Sequence, residues 1–191
     1  MAIEDKSPRT FEGIKEAKRK GLILVNTGDG KGKTSAALGV VFRSLGRGYN
    51  VAMVQFIKGK WVTGEDKAAA KFEGQLELFR MGDGFTWDTQ NLEQDVASAR
   101  KAWLKCEELL QNPKYQLVVF DELNYVVKYG FLEIEPILAA LGKKPAMLHV
   151  IITGRDAHPK LIEMADLVTE MTLIKHPYRD QGIKAQPGID Y

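Results

Sequence analysis

The stretch that most constrains this chain is Thr27-Gly28-Asp29-Gly30-Lys31-Gly32-Lys33-Thr34. The apolar run Leu22-Ile23-Leu24-Val25 precedes it, bounded by Gly21, and Ser35 to Phe42 follows as the apolar opening of a helix. A strand, a glycine-rich turn and a helix beginning Lys-Thr predict a phosphate-binding loop. Glycines let consecutive backbone N–H groups converge on one anion without Cβ clashes. The helix N-terminus adds unpaired donors and the positive end of its dipole. Lys33 supplies a point charge for phosphate oxygens, and Thr34 a hydroxyl ligand for Mg²⁺. The usual pattern opens on a glycine where this chain has Thr27, so the first glycine is displaced by one, to Gly28. The competing reading, a Gly/Lys-rich turn that binds nothing, leaves the flanking strand and helix unexplained.

Beyond the loop, apolar runs alternate with helical patterns. The helix leaving the loop is expected to run to Leu45 and stop at Gly46-Arg47-Gly48. Tyr49 to Ile57 reads as a buried strand, with Lys58-Gly59-Lys60-Trp61 as the loop at its C-terminal end. A helix over Glu65 to Phe72, stopped by Gly74, leads to a strand over Leu76 to Met81 and a break at Gly82-Asp83-Gly84. Asn91 is placed to cap a long helix, with Gln94 at the reciprocal position of a capping box. Leu92, Val96, Ala99, Trp103, Cys106 and Leu110 form its core stripe, and Asn112-Pro113 ends it. An apolar strand from Leu117 then closes on Asp121 and Glu122. A helix over Ile134 to Leu141, a strand over Met147 to Thr153, a helix over Leu161 to Ala165 and a strand over Leu167 to Ile174 follow. Residues 175–191 read as irregular.

Several of these strands are apolar on both faces, the signature of a parallel sheet covered on both sides. The expected fold is α/β: three layers, α/β/α, around a mostly parallel sheet, on the plan of P-loop nucleotide-binding proteins. Ligands collect outside the C-terminal ends of such strands. The phosphate loop, the Lys58 to Trp61 loop, the Gly82 to Gln90 loop, Asp121, Glu122 and Arg155 all lie there. A single domain is expected over residues 21–191, preceded by a basic arm over residues 1–20. Within the arm, Thr10 is placed to cap a short helix through Phe11, Ile14 and Ala17. The arm is either a solvated tail or a segment that folds over the phosphate site of its own or a partner subunit.

Composition mainly excludes. A chain of 191 residues buries a substantial core. A net charge of +2 makes no case for nucleic acid or an anionic membrane as partner. The single cysteine, Cys106, forms no internal disulfide, makes no case for a zinc cluster and reads as a small core hydrophobe. No apolar run approaches the length of a membrane span, and the N-terminus lacks the apolar core of a signal peptide. A cytoplasmic protein is expected. His149, His158 and His176 show no metal-ligand spacing and read as structural.

The chemical groups are oxygen-rich. Thr34 and one of the two carboxylates at the strand end, Asp121 or Glu122, are placed to hold Mg²⁺, a hard cation that takes oxygen ligands. The competing reading, for Asp121 as for Glu122, is a strand-end carboxylate that caps the following helix. Arg155 lies in a strand-end turn where a planar guanidinium grips phosphate oxygens. Arg43 sits further along the helix and reads as a ribose or substrate contact, or as a solvated side chain. In Gly82-Asp83-Gly84-Phe85-Thr86-Trp87-Asp88-Thr89-Gln90, Phe85 and Trp87 either line a flat ligand or plug the base of the loop.

Taken together, these motifs resemble the ATP:corrinoid adenosyltransferases of cobalamin biosynthesis and salvage. The resemblance rests on Thr27 to Thr34, Val54-Gln55-Phe56-Ile57-Lys58-Gly59, Gly84-Phe85-Thr86-Trp87, Asp121-Glu122-Leu123 and Ile151-Ile152-Thr153-Gly154-Arg155. It extends to the tail Lys184-Ala185-Gln186-Pro187-Gly188-Ile189-Asp190-Tyr191. The displaced first glycine is normal for that family; Asp29 stands where some members carry asparagine. The resemblance implies transfer of the 5′-deoxyadenosyl group of ATP to a reduced Co(I) corrinoid, with release of triphosphate. It implies ATP as co-substrate, Mg²⁺, a corrinoid substrate, an electron-donating reductase or flavin, and a homodimer. By motif position, Gly28, Asp29, Gly30, Lys31, Gly32, Lys33, Thr34, Ser35, Arg43 and Arg155 bind the nucleotide. Lys33, Thr34 and Glu122 carry the catalytic charge handling, Thr34 and Glu122 hold the metal, and Phe85 and Trp87 face the corrinoid. Two other classes use the same loop: an ATP-hydrolysing enzyme or kinase, which releases ADP, and an ATP-gated corrinoid carrier, which makes no product. Neither accounts for the aromatic and C-terminal motifs together.

Overall fold

The computed structural model describes residues 18–57, 62–82 and 92–190. The arm helix capped by Thr10, the Lys58 to Trp61 loop, Phe85, Trp87 and the cap at Asn91 lie outside the described residues.

Six strands form one sheet in which every pairing is parallel. They are β1 (Ile23–Thr27), β2 (Val51–Gln55), β3 (Leu76–Arg80), β4 (Leu117–Asp121), β5 (His149–Thr153) and β6 (Leu167–Glu170), in spatial order β3-β2-β4-β5-β1-β6. The intervening helices are α1 (Lys33–Gly46), α2 (Gly64–Ala69, continued by a 3₁₀ turn Ala70–Phe72), α3 (Leu92–Gln111) and α4 (Leu123–Lys128). They are followed by α5 (Ile134–Gly142), α6 (Pro159–Met164) and α7 (Pro177–Gln181).

Strand alternation sorts the core into two layers. Val51, Met53, Leu117, Val119 and Ile151 face α1 and meet its buried stripe of Ala37, Val41 and Leu45. The opposite set, including Val25, Ala52, Val54, Val118, Phe120, Val150 and Ile152, meets α3, α4, α5 and α6. Strands buried on both faces have no polar side to offer water, which is why their sequences are nearly continuous apolar runs. The expected three-layer α/β/α arrangement is therefore what forms.

Cys106 is fully buried in the second layer, where burial pushes its thiol well above the usual range. His158 and His176 act as helix caps, each accepting a backbone N–H through Nδ1 at the start of α6 and α7. His149 accepts from the Leu22 N–H. Each of the three histidines thus holds a backbone N–H.

Four local expectations need correction. Leu92, assigned to the core stripe, is 65% exposed at the start of α3, and Ala102 and Leu109 join the buried face instead. The last strand stops at Glu170 rather than Ile174, because the carbonyl of Met171 is taken by the N–H of Gly30 (2.6 Å). Residues 175–191 are not uniformly irregular, since His176 and Pro177 start α7. The helix expected after the strand-end carboxylates is the six-residue α4, but Glu122 stands at its N-cap position without a side-chain cap hydrogen bond, so the capping reading of Glu122 does not hold.

Candidate functional site

The site lies at the C-terminal ends of β1, β5 and β4, where the loops after the strands converge. Thr27 ends β1, and the chain turns through Gly28 at φ 90 and Gly32 at φ 108, conformations that L side chains rarely adopt. Gly28 is required twice over. A Cβ there would sit 2.5 Å from the Met171 carbonyl oxygen, so this displaced first glycine is where the loop seats against the strand end of β6. Gly32 precedes α1, and the N–H groups of the first turn open toward the loop.

Lys33 is 7% exposed and reaches back into the loop. Its ammonium donates to the carbonyls of Gly28 (2.7 Å) and Gly30 (2.6 Å). Burial lowers its pKa, the Glu122 carboxylate opposes that shift, and the Arg155 guanidinium adds to it. The cation is thus held by neutral carbonyl dipoles at the place where an anion offers more. Asn26 braces the turn, its side-chain amide donating to the Lys33 carbonyl (3.1 Å).

Thr34, one residue on, donates its hydroxyl proton to Asp121 Oδ1 (2.8 Å). The same oxygen accepts from the Thr153 hydroxyl (2.8 Å), and the Thr153 oxygen accepts from the Glu122 N–H (3.0 Å). Asp121 is fully buried. Glu122 is half-buried and sits at φ 64, a left-handed conformation uncommon for a non-glycine residue. That turn aims the Glu122 carboxylate toward Gly154, where an added Cβ would lie 3.2 Å from Oε2. Asn124 locks the junction by donating to the Gly154 carbonyl (2.9 Å). The two carboxylates therefore differ: Asp121 fixes the Thr34 hydroxyl, and Glu122 stands at the rim, near Lys33.

Arg155 faces the loop from the end of β5, with Nη1 3.7 Å from Asp29 Oδ1. Lys31 is paired with Asp190 from the C-terminal tail. Lys31 and the Gln186 N–H hold the Asp190 carboxyl below the usual range. The tail thereby becomes one wall of an open cavity of about 380 Å³, shared by Thr34, Ser35, Glu65, Gly188, Ile189 and Asp190.

The structure thus brings together Gly28, Asp29, Gly30, Lys31, Gly32, Lys33, Thr34, Ser35, Glu122 and Arg155. Arg43 is exposed near the end of α1, ten residues beyond Lys33, which is about 15 Å along the helix. Among the described residues it makes no hydrogen bond or ion pair with the loop. Phe85 and Trp87 lie outside the described residues. Sequence reasoning missed Thr153, Asn124 and the Lys31–Asp190 tie. Thr153 carried a signal all the same: like Asp121, it is the polar residue that closes an apolar strand. Among the described residues no group of three or more His, Cys, Asp or Glu side chains gathers to hold a metal ion. Oxygen donors from Thr34, Asp121 and Glu122 do suit Mg²⁺, which binds through one or two carboxylates plus phosphates rather than in an all-protein cage.

A glycine-rich loop opening α1, a lysine inside it and a threonine bonded to a strand-end aspartate define a nucleotide-binding protein of the P-loop class. Within that class, the family model described as ATP:corrinoid adenosyltransferase BtuR/CobO/CobP matches residues 19–191. The chain belongs to that family. It is similar to the corrinoid adenosyltransferase of Pseudomonas aeruginosa, with 46% identity over 99% of this chain and 93% of that one. It is 48% identical to the Sinorhizobium sp enzyme over 90% of this chain and 81% of that one. For the Escherichia coli enzyme the values are 44%, 90% and 86%. Among the described residues no helix is long and apolar enough to cross a membrane.

Proposed function

We infer that the protein transfers the 5′-deoxyadenosyl group of ATP to a Co(I) corrinoid, releasing triphosphate. Membership of the family over residues 19–191 carries this reading. The site geometry supplies the physical account. Co(I) is a strong nucleophile, so attack on C5′ needs no general base, and the bond that breaks joins C5′ to the triphosphate oxygen. What the protein must provide is alignment of C5′ with cobalt and stabilisation of charge on the departing triphosphate.

The loop suits that second task. Its backbone N–H groups, Lys33, Lys31 and Arg155 form a preorganised cationic cradle. Triphosphate draws the Lys33 ammonium away from the Gly28 and Gly30 carbonyls and competes with Asp29 for Arg155. Thr34 and Glu122 hold Mg²⁺ in this reading, with Asp121 fixing the Thr34 hydroxyl through the 2.8 Å hydrogen bond. Bound Mg²⁺ neutralises part of the phosphate charge. Arg43 serves the nucleotide site as well, Phe85 and Trp87 face the corrinoid and displace its lower axial ligand, and a reductase or flavin supplies the electron for Co(I). The protein works as a cytoplasmic homodimer in which the residue 1–20 arm closes the site.

Anaerobic incubation with ATP, Mg²⁺ and chemically reduced corrinoid tests the reaction. A 5′-deoxyadenosylcorrinoid and one equivalent of triphosphate are expected. ADP as the stoichiometric product, or no cobalt–carbon bond, would overturn the assignment.

A further inference from the structure

Gln55 has no part in the arrangement described so far. It ends β2, is 1% exposed, and follows four fully buried residues, Val51, Ala52, Met53 and Val54. Strand alternation places it on the face of Val51 and Met53, the face covered by α1. The sheet register sets it beside Asp121 of β4 on one side and Arg80 of β3 on the other. Both neighbours are engaged: Asp121 by the Thr34 and Thr153 hydroxyls, Arg80 by Asp66. Gln55 is not. Among the described residues, neither its Oε1 nor its Nε2 has a hydrogen-bond partner, and both atoms are buried.

A buried polar group without a partner is left desolvated and destabilises the fold. Leucine or methionine at this position would extend the apolar strand without that cost. An amide kept here, one strand from the aspartate that fixes Thr34, is therefore a group whose partner arrives with the substrate. Adjacent strands lie about 4.8 Å apart, which sets the Gln55 position one strand-width from Asp121, the residue that fixes the Thr34 hydroxyl.

The chemistry of an amide narrows what that partner is. A phosphate oxygen only accepts and would satisfy Nε2 alone. Oε1 needs a donor, and a metal-bound water is a strong one. Mg²⁺ held by one or two carboxylates and phosphates keeps several of its waters. We propose that Gln55 is a positioning residue for the hydrated Mg²⁺–triphosphate unit. Its Oε1 accepts from a metal-bound water, and its Nε2 donates to a triphosphate oxygen. The proposal rests on reading the Thr34–Asp121 site as the seat of a magnesium-bound nucleotide.

Gln55→Met keeps the length of the side chain and removes the amide. Calorimetric titration with ATP, in Mg²⁺ and in EDTA, together with the Tm of the ligand-free protein, tests the assignment. The variant is expected to bind Mg²⁺–ATP about tenfold more weakly, the effect of one lost charge-assisted hydrogen bond. Its affinity for metal-free ATP falls less, because only the Nε2 contact to phosphate is lost there, and its ligand-free Tm is equal or higher. A lowered Tm or a failure to fold would mean that the amide serves the fold, and overturns the proposal. Equal losses with and without metal would place the contact on the nucleotide itself, and overturn it too. If the wild type discriminates between the two forms of ATP and the variant does so equally well, this assignment alone falls. If the wild type does not discriminate at all, the metal reading of the site falls with it.

Discussion

Lys33 carries its charge into surroundings that pull in opposite directions. Desolvation works against the ammonium, the Glu122 carboxylate favours it, and two glycine carbonyls hold it in place. Lys33→Ala should lower kcat by about 10²–10³-fold, the loss expected when a preorganised group facing developing charge is removed. Steady-state kinetics at saturating Mg²⁺ measures this, and near-normal turnover would remove the loop from the mechanism. The ligand-free protein gives a second readout. A lysine pKa lowered by folding means that the unfolded chain binds the proton more readily than the native one. The penalty is full at neutral pH and fades as pH rises toward the ordinary lysine value of 10.5. The Tm of the wild type relative to Lys33→Met should therefore climb through the alkaline range; a flat difference would show that the carbonyls offset the burial. The two carboxylates separate in the same way. Asp121 is fully buried and accepts from two hydroxyls, so Asp121→Asn should lower the Tm. Glu122→Gln should leave the Tm unchanged and raise the Mg²⁺ concentration needed for activity. A metal titration with the ranking reversed would make Asp121 the ligand.

Between the strands, α2 shows how a short element is pinned beside the site. The side chain of Asp66 accepts from the backbone N–H of Thr63 (2.7 Å) and from its hydroxyl (2.8 Å), and pairs with Arg80 of β3. Burial pushes the Asp66 carboxyl up, but the Arg80 and Thr63 hydrogen bonds win and hold it at about 2. An acid whose pKa is depressed by folding stabilises the native state above its unfolded value near 3.8. That stabilisation drains away as pH falls toward 2. Asp66→Asn should cost about 1–2 kcal/mol at neutral pH, discounted for partial exposure, and nothing once the carboxyl is protonated. Chemical denaturation at neutral and strongly acidic pH checks it. The same element shows what local sequence can and cannot disclose. The strand–loop–helix of β1 and α1 was legible because all of its determinants are contiguous. The stretch read as a helix from Glu65 to Phe72 is α2 plus a 3₁₀ turn, a change of pitch that composition does not register. How α4 begins was not legible, because its start is set by the left-handed Glu122 and the Thr153 hydroxyl, a partner 31 residues away. Gln55 was read as one more residue of a buried strand, since only the register against Asp121 and Arg80 reveals its position. The pair Asp121-Glu122 was legible as two strand-end carboxylates beside the phosphate loop, but which of them engages Thr34 depends on the left-handed turn at Glu122 and not on spacing.

At the scale of the whole molecule, the C-terminal tail returns to the first strand's loop. Residues 177–189 are exposed throughout, so the tail buries little of its own apolar surface. Among the described residues its side-chain ties are polar: Asp190 to Lys31 across to the loop, and within the tail the Gln186 N–H to Asp190 (2.9 Å). An ion pair whose lysine stays open to water adds little to stability. The tail is thus weakly held, yet Gly188, Ile189 and Asp190 wall the cavity that Thr34, Ser35 and Glu65 share. Stability and ligand binding should therefore part company on truncation. A chain ending at Lys184 should unfold within about 0.5 kcal/mol of the full protein, as surface changes usually do. Its ATP affinity should fall about tenfold, since the ligand then faces water where the tail stood. Asp190→Asn adds a finer discrimination. It removes the charge that competes with triphosphate for Lys31 while leaving the wall in place. This variant should bind ATP as well as the wild type or better, and the gain should shrink as salt is raised. If truncation and Asp190→Asn weaken ATP binding equally, the Asp190 charge itself serves the nucleotide. If neither changes it, the cavity beneath the tail lies outside the nucleotide site.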